Sequence, residues 1–168
     1  MGPIATLTKN PVVLALVAGL ALAGCASKKA PNSAGDLGLG GAGAATPGSP
    51  QDFTVNVGDR IFFDVDSSSI RADAQQTLSR QAQWLNRYGN YRITIEGHAD
   101  ERGTREYNLA LGARRAAATR DYLVSRGIAG NRLKTVSYGK ERPVAVCDDI
   151  SCWSQNRRAV TVPQGAGS

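Results

Sequence analysis

Residues 95–123, IEGHADERGTREYNLALGARRAAATRDYL, carry the reading of the fold. The stretch opens on the end of an alternating run, Tyr91 to Glu96 (YRITIE), which puts Tyr91, Ile93 and Ile95 on one face of a strand. Gly97 to Thr104 is a polar loop, and Thr104 is a helix N-cap with Glu106 in the first turn, where a carboxylate suits the helix dipole. Leu109, Ala113, Ala116 and Leu123 then mark an inward stripe that runs to Arg126-Gly127, a C-terminal signature. Asn108 and Arg115 are seven residues apart on this helix, hence only about 20° out of register, and the stripe lies about 80 to 100° away from them. Arg115 is therefore expected to border the core rather than join it.

Upstream, Val55 to Asp66 (VNVGDRIFFDVD) reads as a strand with apolar residues at 61, 63 and 65. Ser67, Ser68 and Ser69 supply candidate caps for a helix in which Ile70, Ala74, Leu78, Ala82, Leu85 and Tyr88 recur at helical spacing, and Gly89-Asn90 stops it. Downstream, Leu133 to Tyr138 and Arg158 to Val162 read as strands separated by a loop that holds Cys147 and Cys152. The order βαβαββ predicts an α+β sandwich with helices on one face of a mixed sheet, spanning residues 53–163 and followed by a tail at 164–168.

The chain has 168 residues, 42% hydrophobic and 20% charged, enough for one ordinary domain with tails and too few for a two-domain enzyme. A net charge of +6 predicts an acidic partner, and nucleic acid, phospholipid and a carboxylate-bearing polymer all qualify. Few aromatic platforms argue against nucleic acid. The N-terminus narrows the compartment. Residues 1–24 read as a secretory signal whose apolar run, Pro11 to Ala23, is too short to cross a bilayer. Leu22-Ala23-Gly24-Cys25 resembles the bacterial lipobox, which makes Cys25 the lipidated first residue of the mature chain; two or three acyl chains on one cysteine anchor firmly. Met1 to Thr6 formally fits a myristoylation pattern, which would leave the apolar run without a purpose. From Cys25 to Asp52, Gly, Ala, Ser and Pro dominate, so this is a flexible linker.

Asp100 in the loop and Arg115 on the helix combine a carboxylate with a guanidinium. Such a cleft is complementary to a zwitterion, because Arg grips a carboxylate while Asp accepts from an ammonium. Asp64 and Asp66 end the first strand, and Gly112 leaves space for a ligand to approach. An ion pair between Arg115 and Asp100 or Glu101 is the alternative use of the same residues. Cys147 and Cys152 in an exported protein predict a disulfide. A metal site would need ligands that a chain with one His does not offer, and no cofactor is expected.

Together with Ile61–Asp66 (IFFDVD) and Gln155–Val160 (QNRRAV), the segment 95–123 resembles the OmpA-like peptidoglycan-binding domain. The resemblance implies a periplasmic module that holds the diaminopimelate of the peptidoglycan stem peptide without cleaving it. Carried to matching positions, Asp100 takes the ligand ammonium and Arg115 its carboxylate. Phe63 and Asp64 form part of the wall, Asn108 and Leu111 line the helix side, and the backbone at Gly97 and Ala99 donates or accepts. Asn156 and Arg157 match the last-strand motif, either touching ligand or bracing Asp64, and His98 bonds the ligand or supports the turn. Ala99 departs from the Thr of many members and Arg105 from a common Pro. With its lipobox and linker, the chain is expected to be an outer-membrane lipoprotein with its domain in the periplasm, since Ala26 rather than Asp follows Cys25. By resemblance its partners are peptidoglycan, the outer membrane and the Tol proteins, TolB among them, with a role in membrane invagination at division. The competing readings are a cell-wall hydrolase, built on Asp64, Asp66, Glu96 and Asp100 or on His98, and a structural envelope subunit that binds only protein. Arg115→Ala is expected to weaken binding ten- to a hundredfold with the fold intact, about the effect of one charge-assisted contact.

Overall fold

Four strands, β1 (Arg60–Phe62), β2 (Arg92–His98), β3 (Leu133–Gly139) and β4 (Arg158–Gln164), pair in the order β1-β4-β2-β3. The computed structural model describes residues 45–165. The expected signal segment, Cys25, most of the linker and residues 166–168 lie outside the described residues. β4 runs antiparallel to both β1 and β2, whereas β2 and β3 are parallel, so the sheet is mixed as predicted. The parallel pair needs a crossover, and α2 (Arg105–Ser125) supplies it; α1 (Ala72–Arg87) joins β1 to β2. Both helices pack on the sheet and touch one another.

The helix stripe of α1 is as the sequence predicts, with Ala74, Leu78, Ala82 and Leu85 all buried. Ile93 and Ile95 of β2 meet them in the core with Ile61, Phe63 and Leu123. Trp84 packs edge-on against Phe53, ring centroids 5.0 Å apart, and donates its indole N–H to Asp52 at 2.8 Å. Tyr91 donates to the Gly48 carbonyl at 2.7 Å. Residues 48–52, expected in the linker, are thus part of the fold.

Several local expectations are corrected. Val55–Asp66 is not one strand: Phe53–Gly58 is a wide helical turn held by the burial of Phe53, and only Arg60–Phe62 pairs with β4. Val65, placed by alternation with Ile61 and Phe63, is exposed. The serine cluster does not cap α1; Ser67 Oγ instead accepts from the Ser69 N–H within the preceding turn, and Arg71 stands at the N-cap. The loop between β3 and β4 contains a third helix, α3 (Ile150–Asn156), capped by Asp149.

The largest correction concerns α2. Its start is as expected, with Thr104 accepting from the Tyr107 N–H at 3.2 Å. Its end is a paired cap: the Ile128 N–H reaches the Leu123 carbonyl and the Gly127 N–H the Val124 carbonyl, with Gly127 at φ +91°. Between these ends the buried face is Asn108, Leu111, Gly112, Arg115, Ala116, Thr119 and Leu123, while Leu109 is 48% exposed and Ala113 is also exposed. The stripe is rotated toward the polar residues because the helix axis lies very close to β2. A Cβ on Gly97 would stand 1.8 Å from the Gly112 carbonyl oxygen, and one on Gly112 would stand 2.4 Å from Ser137 Oγ. The two glycines let helix and sheet touch backbone to backbone. Neither leaves an approach for a ligand.

Candidate functional site

The close approach of α2 to β2 sets Arg115 inside the protein rather than at its edge. Its relative exposure is 0%. The guanidinium is held by three backbone carbonyls: Nε donates to Ser67 at 2.8 Å, Nη1 to His98 at 2.8 Å and Nη2 to Asp64 at 3.1 Å. It lies 5.2 Å from the centre of the Phe63 ring. Burial pulls its pKa down to about 10, an effect Asp100 partly offsets, so it remains a cation at neutral pH. Among the described residues, one N–H on each terminal nitrogen is left without an acceptor. The guanidinium therefore clamps the turn after β1 to the end of β2, and retains two donors.

Asp100 is the other charge. It is not bonded to Arg115, so the alternative ion pair is not formed. Its Oδ1 accepts from the Arg102 backbone N–H at 3.3 Å and from Arg102 Nε at 3.2 Å; its Oδ2 accepts from Arg102 Nη2 at 2.7 Å and Arg157 Nη1 at 3.1 Å. Burial pushes its pKa up, but the hydrogen bonds from the two arginines outweigh that and hold the carboxyl below its ordinary value. Arg157, for which the sequence left two roles open, also donates Nε to the Phe63 carbonyl at 3.2 Å, so it braces Asp100 and not the Asp64 side chain. Asn156 is bound to the loop before α3, accepting from the Val144 and Ala145 N–H groups and donating to the Ala145 carbonyl.

A cavity of about 290 Å³ opens over Asp100, lined also by Val65, Asp66, Arg102, Tyr107, Asn108 and Leu111. Three of the sequence-derived site residues, Asp100, Asn108 and Leu111, thus share one wall. Asn108 donates to the Arg102 carbonyl at 2.7 Å and fixes the loop above it. The others stand behind that wall or away from it. Phe63 is buried in the core beneath Arg115. The Asp64 carboxylate turns outward to Arg71 at 3.2 Å, and only its carbonyl faces Arg115. Gly97 is committed on both sides to sheet pairing, with Ser137 and Ala159, and on its face to Gly112, so its backbone has nothing left to offer a ligand. The Ala99 N–H donates to the Gly139 carbonyl at 2.8 Å.

His98 supports the site through its carbonyl. Its ring is buried, with both nitrogens lacking a hydrogen-bond partner among the described residues, 5.5 Å from the Tyr138 ring and with Nε2 3.5 Å from a Glu96 oxygen. Burial first, and then Arg158, Arg142 and Arg60, lower its pKa to about 4. It is neutral at pH 7.

Three participants, Arg102, Trp153 and Lys140, escape the sequence reading, and a fourth, Asp66, stands in a setting that reading does not give it. Asp66, read there as a strand-end carboxylate, adopts φ +53° at the cavity mouth and accepts from the Tyr107 hydroxyl. Arg102 stacks on Trp153, 4.2 Å from its ring centre, and the Trp153 indole donates to Glu101. Lys140 donates to the carbonyls of Glu101 and Gly103 and ties the loop to the end of β3. The D-x-R spacing of Asp100 and Arg102 is a legible signal, since a loop brings such neighbours together. Trp153 has no such signal, because only the third helix, closed by the Cys147–Cys152 disulfide with Cα atoms 5.7 Å apart, carries it to the site. Among the described residues no cluster of His, Cys, Asp and Glu can hold a metal ion.

Comparison with known proteins agrees with this architecture. Residues 62–157 match the model of the OmpA family. The chain is 81% identical to the peptidoglycan-associated lipoprotein of Mesorhizobium japonicum, over the whole of both chains. It is 77% identical to the protein of that name from Agrobacterium fabrum, covering 99% of this chain and 95% of the other. Among solved structures, the peptidoglycan-associated lipoprotein from Burkholderia pseudomallei superimposes with a TM-score of 0.65 at 42% identity, covering 69% of this chain and 100% of that one. The C-terminal domain of Helicobacter pylori MotB shares the fold, with a TM-score of 0.59 at 24% identity over 63% of this chain and 84% of its own. With a family model that spans more than half of its length and relatives this similar from end to end, the chain belongs to the OmpA family.

Proposed function

We propose that this chain is a lipoprotein that binds peptidoglycan non-covalently and so ties the outer membrane to the cell wall, its domain lying in the periplasm at the end of the linker from Cys25. The ligand is the diaminopimelate of the stem peptide. Asp100 takes its ammonium and Arg115 its carboxylate, with Asn108 and Leu111 along the helix side of the cavity. The observation that carries this reading is the Asp100 carboxylate in the wall of an open cavity that it shares with Asn108 and Leu111. In this role the chain works in the Tol-Pal system, exchanging between the wall and TolB and supporting invagination of the outer membrane at division. The names and lengths of its relatives support the tethering role.

A hydrolase would use the same acidic cavity differently. A glycosidase needs one carboxyl whose pKa is raised so that it can donate a proton. Asp100 is moved the other way by Arg102 and Arg157, which suits an acceptor for an ammonium and not a general acid. The experiment is a pull-down of the full chain in detergent with purified sacculi, scored for both bound protein and released muropeptides. Binding without release, weakened ten- to a hundredfold by Asp100→Asn, is the expected result, that being about the effect of one charge-assisted contact. Release of muropeptides, or undiminished binding by a folded Asp100→Asn protein, refutes the reading.

A further inference from the structure

We propose that Arg102 is the resting occupant of the acid subsite, an internal cation that the ligand's ammonium must displace, and that it thereby sets the affinity of the site. The inference rests on the reading of Asp100 as the ammonium acceptor. A carboxylate offers about four lone-pair positions. On Asp100 all four are taken: two donors reach Oδ1 and two reach Oδ2. An ammonium cannot simply be added to this group, so one of the present donors leaves when it arrives.

The structure identifies which. The Arg157 side chain is 8% exposed, and its Nε is bonded to the Phe63 carbonyl, deep in the protein. The Arg102 side chain is 42% exposed and, among the described residues, its guanidinium bonds only to Asp100. It also has somewhere to go. The Trp153 ring lies against its outer face, and that ring is held in place by Glu101 and by the disulfide-closed helix. Arg102 can give up the Asp100 fork while it keeps the stacking contact and gains water. Ligand binding is then an exchange of one cation for another on Asp100, and the net gain is smaller than a free carboxylate would give.

The test compares variants of the full chain in detergent by calorimetry, with L-alanyl-γ-D-glutamyl-meso-diaminopimelate as the probe. Arg102→Gln removes the competitor and tightens binding roughly two- to fivefold, the reach of an exposed ion pair. Arg105→Gln deletes a nearby exposed arginine paired with Glu141 and leaves affinity at the wild-type value. The sign separates competition from scaffolding, since loss of a merely structural contact weakens binding. Weaker or unchanged binding by Arg102→Gln, or equal tightening by Arg105→Gln, overturns the proposal while leaving the Asp100 reading in place. Wild-type affinity in Asp100→Asn overturns that reading and this inference with it.

Discussion

Removing the Arg115 guanidinium tests whether this residue belongs to the ligand or to the fold. In Arg115→Ala the carbonyls of Asp64, Ser67 and His98 lose their donors in a buried setting. Charge-assisted hydrogen bonds contribute ~1.5 to 3 kcal/mol each, which sets a gross loss of roughly 5 to 9 kcal/mol. Deleting a buried cation recovers several kcal/mol of desolvation. The net destabilisation is then about 2 to 4 kcal/mol, a large share of the stability of a domain this size. Divided by an m-value of about 2 kcal/mol per molar, the urea midpoint falls by roughly 1 to 2 M. Trp84 reports the transition, being packed on Phe53 in the core, and a Trp153→Phe background removes the second tryptophan. The expectation drawn from sequence, that the fold survives this change intact, is therefore replaced. An unchanged midpoint alongside abolished binding would show that the three carbonyl contacts contribute nothing and that Arg115 serves the ligand alone.

Three further changes have determined signs. His98 has a folded pKa of about 4, below its ordinary 6.5, so its contribution to stability is complete above pH 6.5 and is lost as pH falls toward 4. The loss is on the order of 3 kcal/mol, and urea midpoints measured from pH 7 to 4 should flatten in His98→Gln. Gly97→Ala forces a methyl against the Gly112 carbonyl and should destabilise by at least ~1 to 3 kcal/mol, whereas a Cβ on Gly89 meets nothing within 4 Å, so Gly89→Ala should stay within about 0.5 kcal/mol in thermal melts. Cys147→Ser with Cys152→Ser opens the small ring that carries α3 and should lower stability by about 2 kcal/mol, read as a fall in melting temperature that reducing agent reproduces in the wild type.

The parts of the fold legible in the sequence are those in which one physical signal dominates. The apolar spacing of α1, the alternation of Ile93 and Ile95, the Thr104 cap and the Gly127 stop all act within a few residues, and all stand as read. The buried face of α2 is different. Its outline depends on the Gly97–Gly112 contact, made between residues fifteen positions apart and invisible to a periodicity that counts apolar side chains. The apolar spacing puts Leu109 inward and Arg115 at the border of the core, yet the backbone contact turns Leu109 out and Arg115 fully in. A buried arginine is tolerated here only because backbone carbonyls surround it, and those carbonyls come from two separate places in the chain, the turn after β1 and the end of β2. The candidate site shows the same division. Asp100 and Asn108 were legible from motif spacing, but the partners that determine what Asp100 can accept, Arg102, Arg157 and Trp153, depend on a helix that its seven residues and a cysteine-rich loop do not announce.

Both charges of the site are satisfied before any ligand arrives, Arg115 by carbonyls and Asp100 by arginines. This follows from burial, since an unpaired charge at either position would destabilise the domain by several kcal/mol. It also limits what binding can gain. On the proposed reading a zwitterion brings an ammonium to replace Arg102 and a carboxylate to meet the two N–H groups that Arg115 keeps, so both ligand charges find partners while Arg102 passes to water and the Trp153 ring. A ligand with an amine but no carboxylate makes only the first exchange and leaves the two Arg115 donors unused. On this account the preference of the site for amino-acid ends over simple amines comes from the Arg115 donors, so neutralising Arg102 should tighten both classes of ligand by the same factor and leave the preference unchanged.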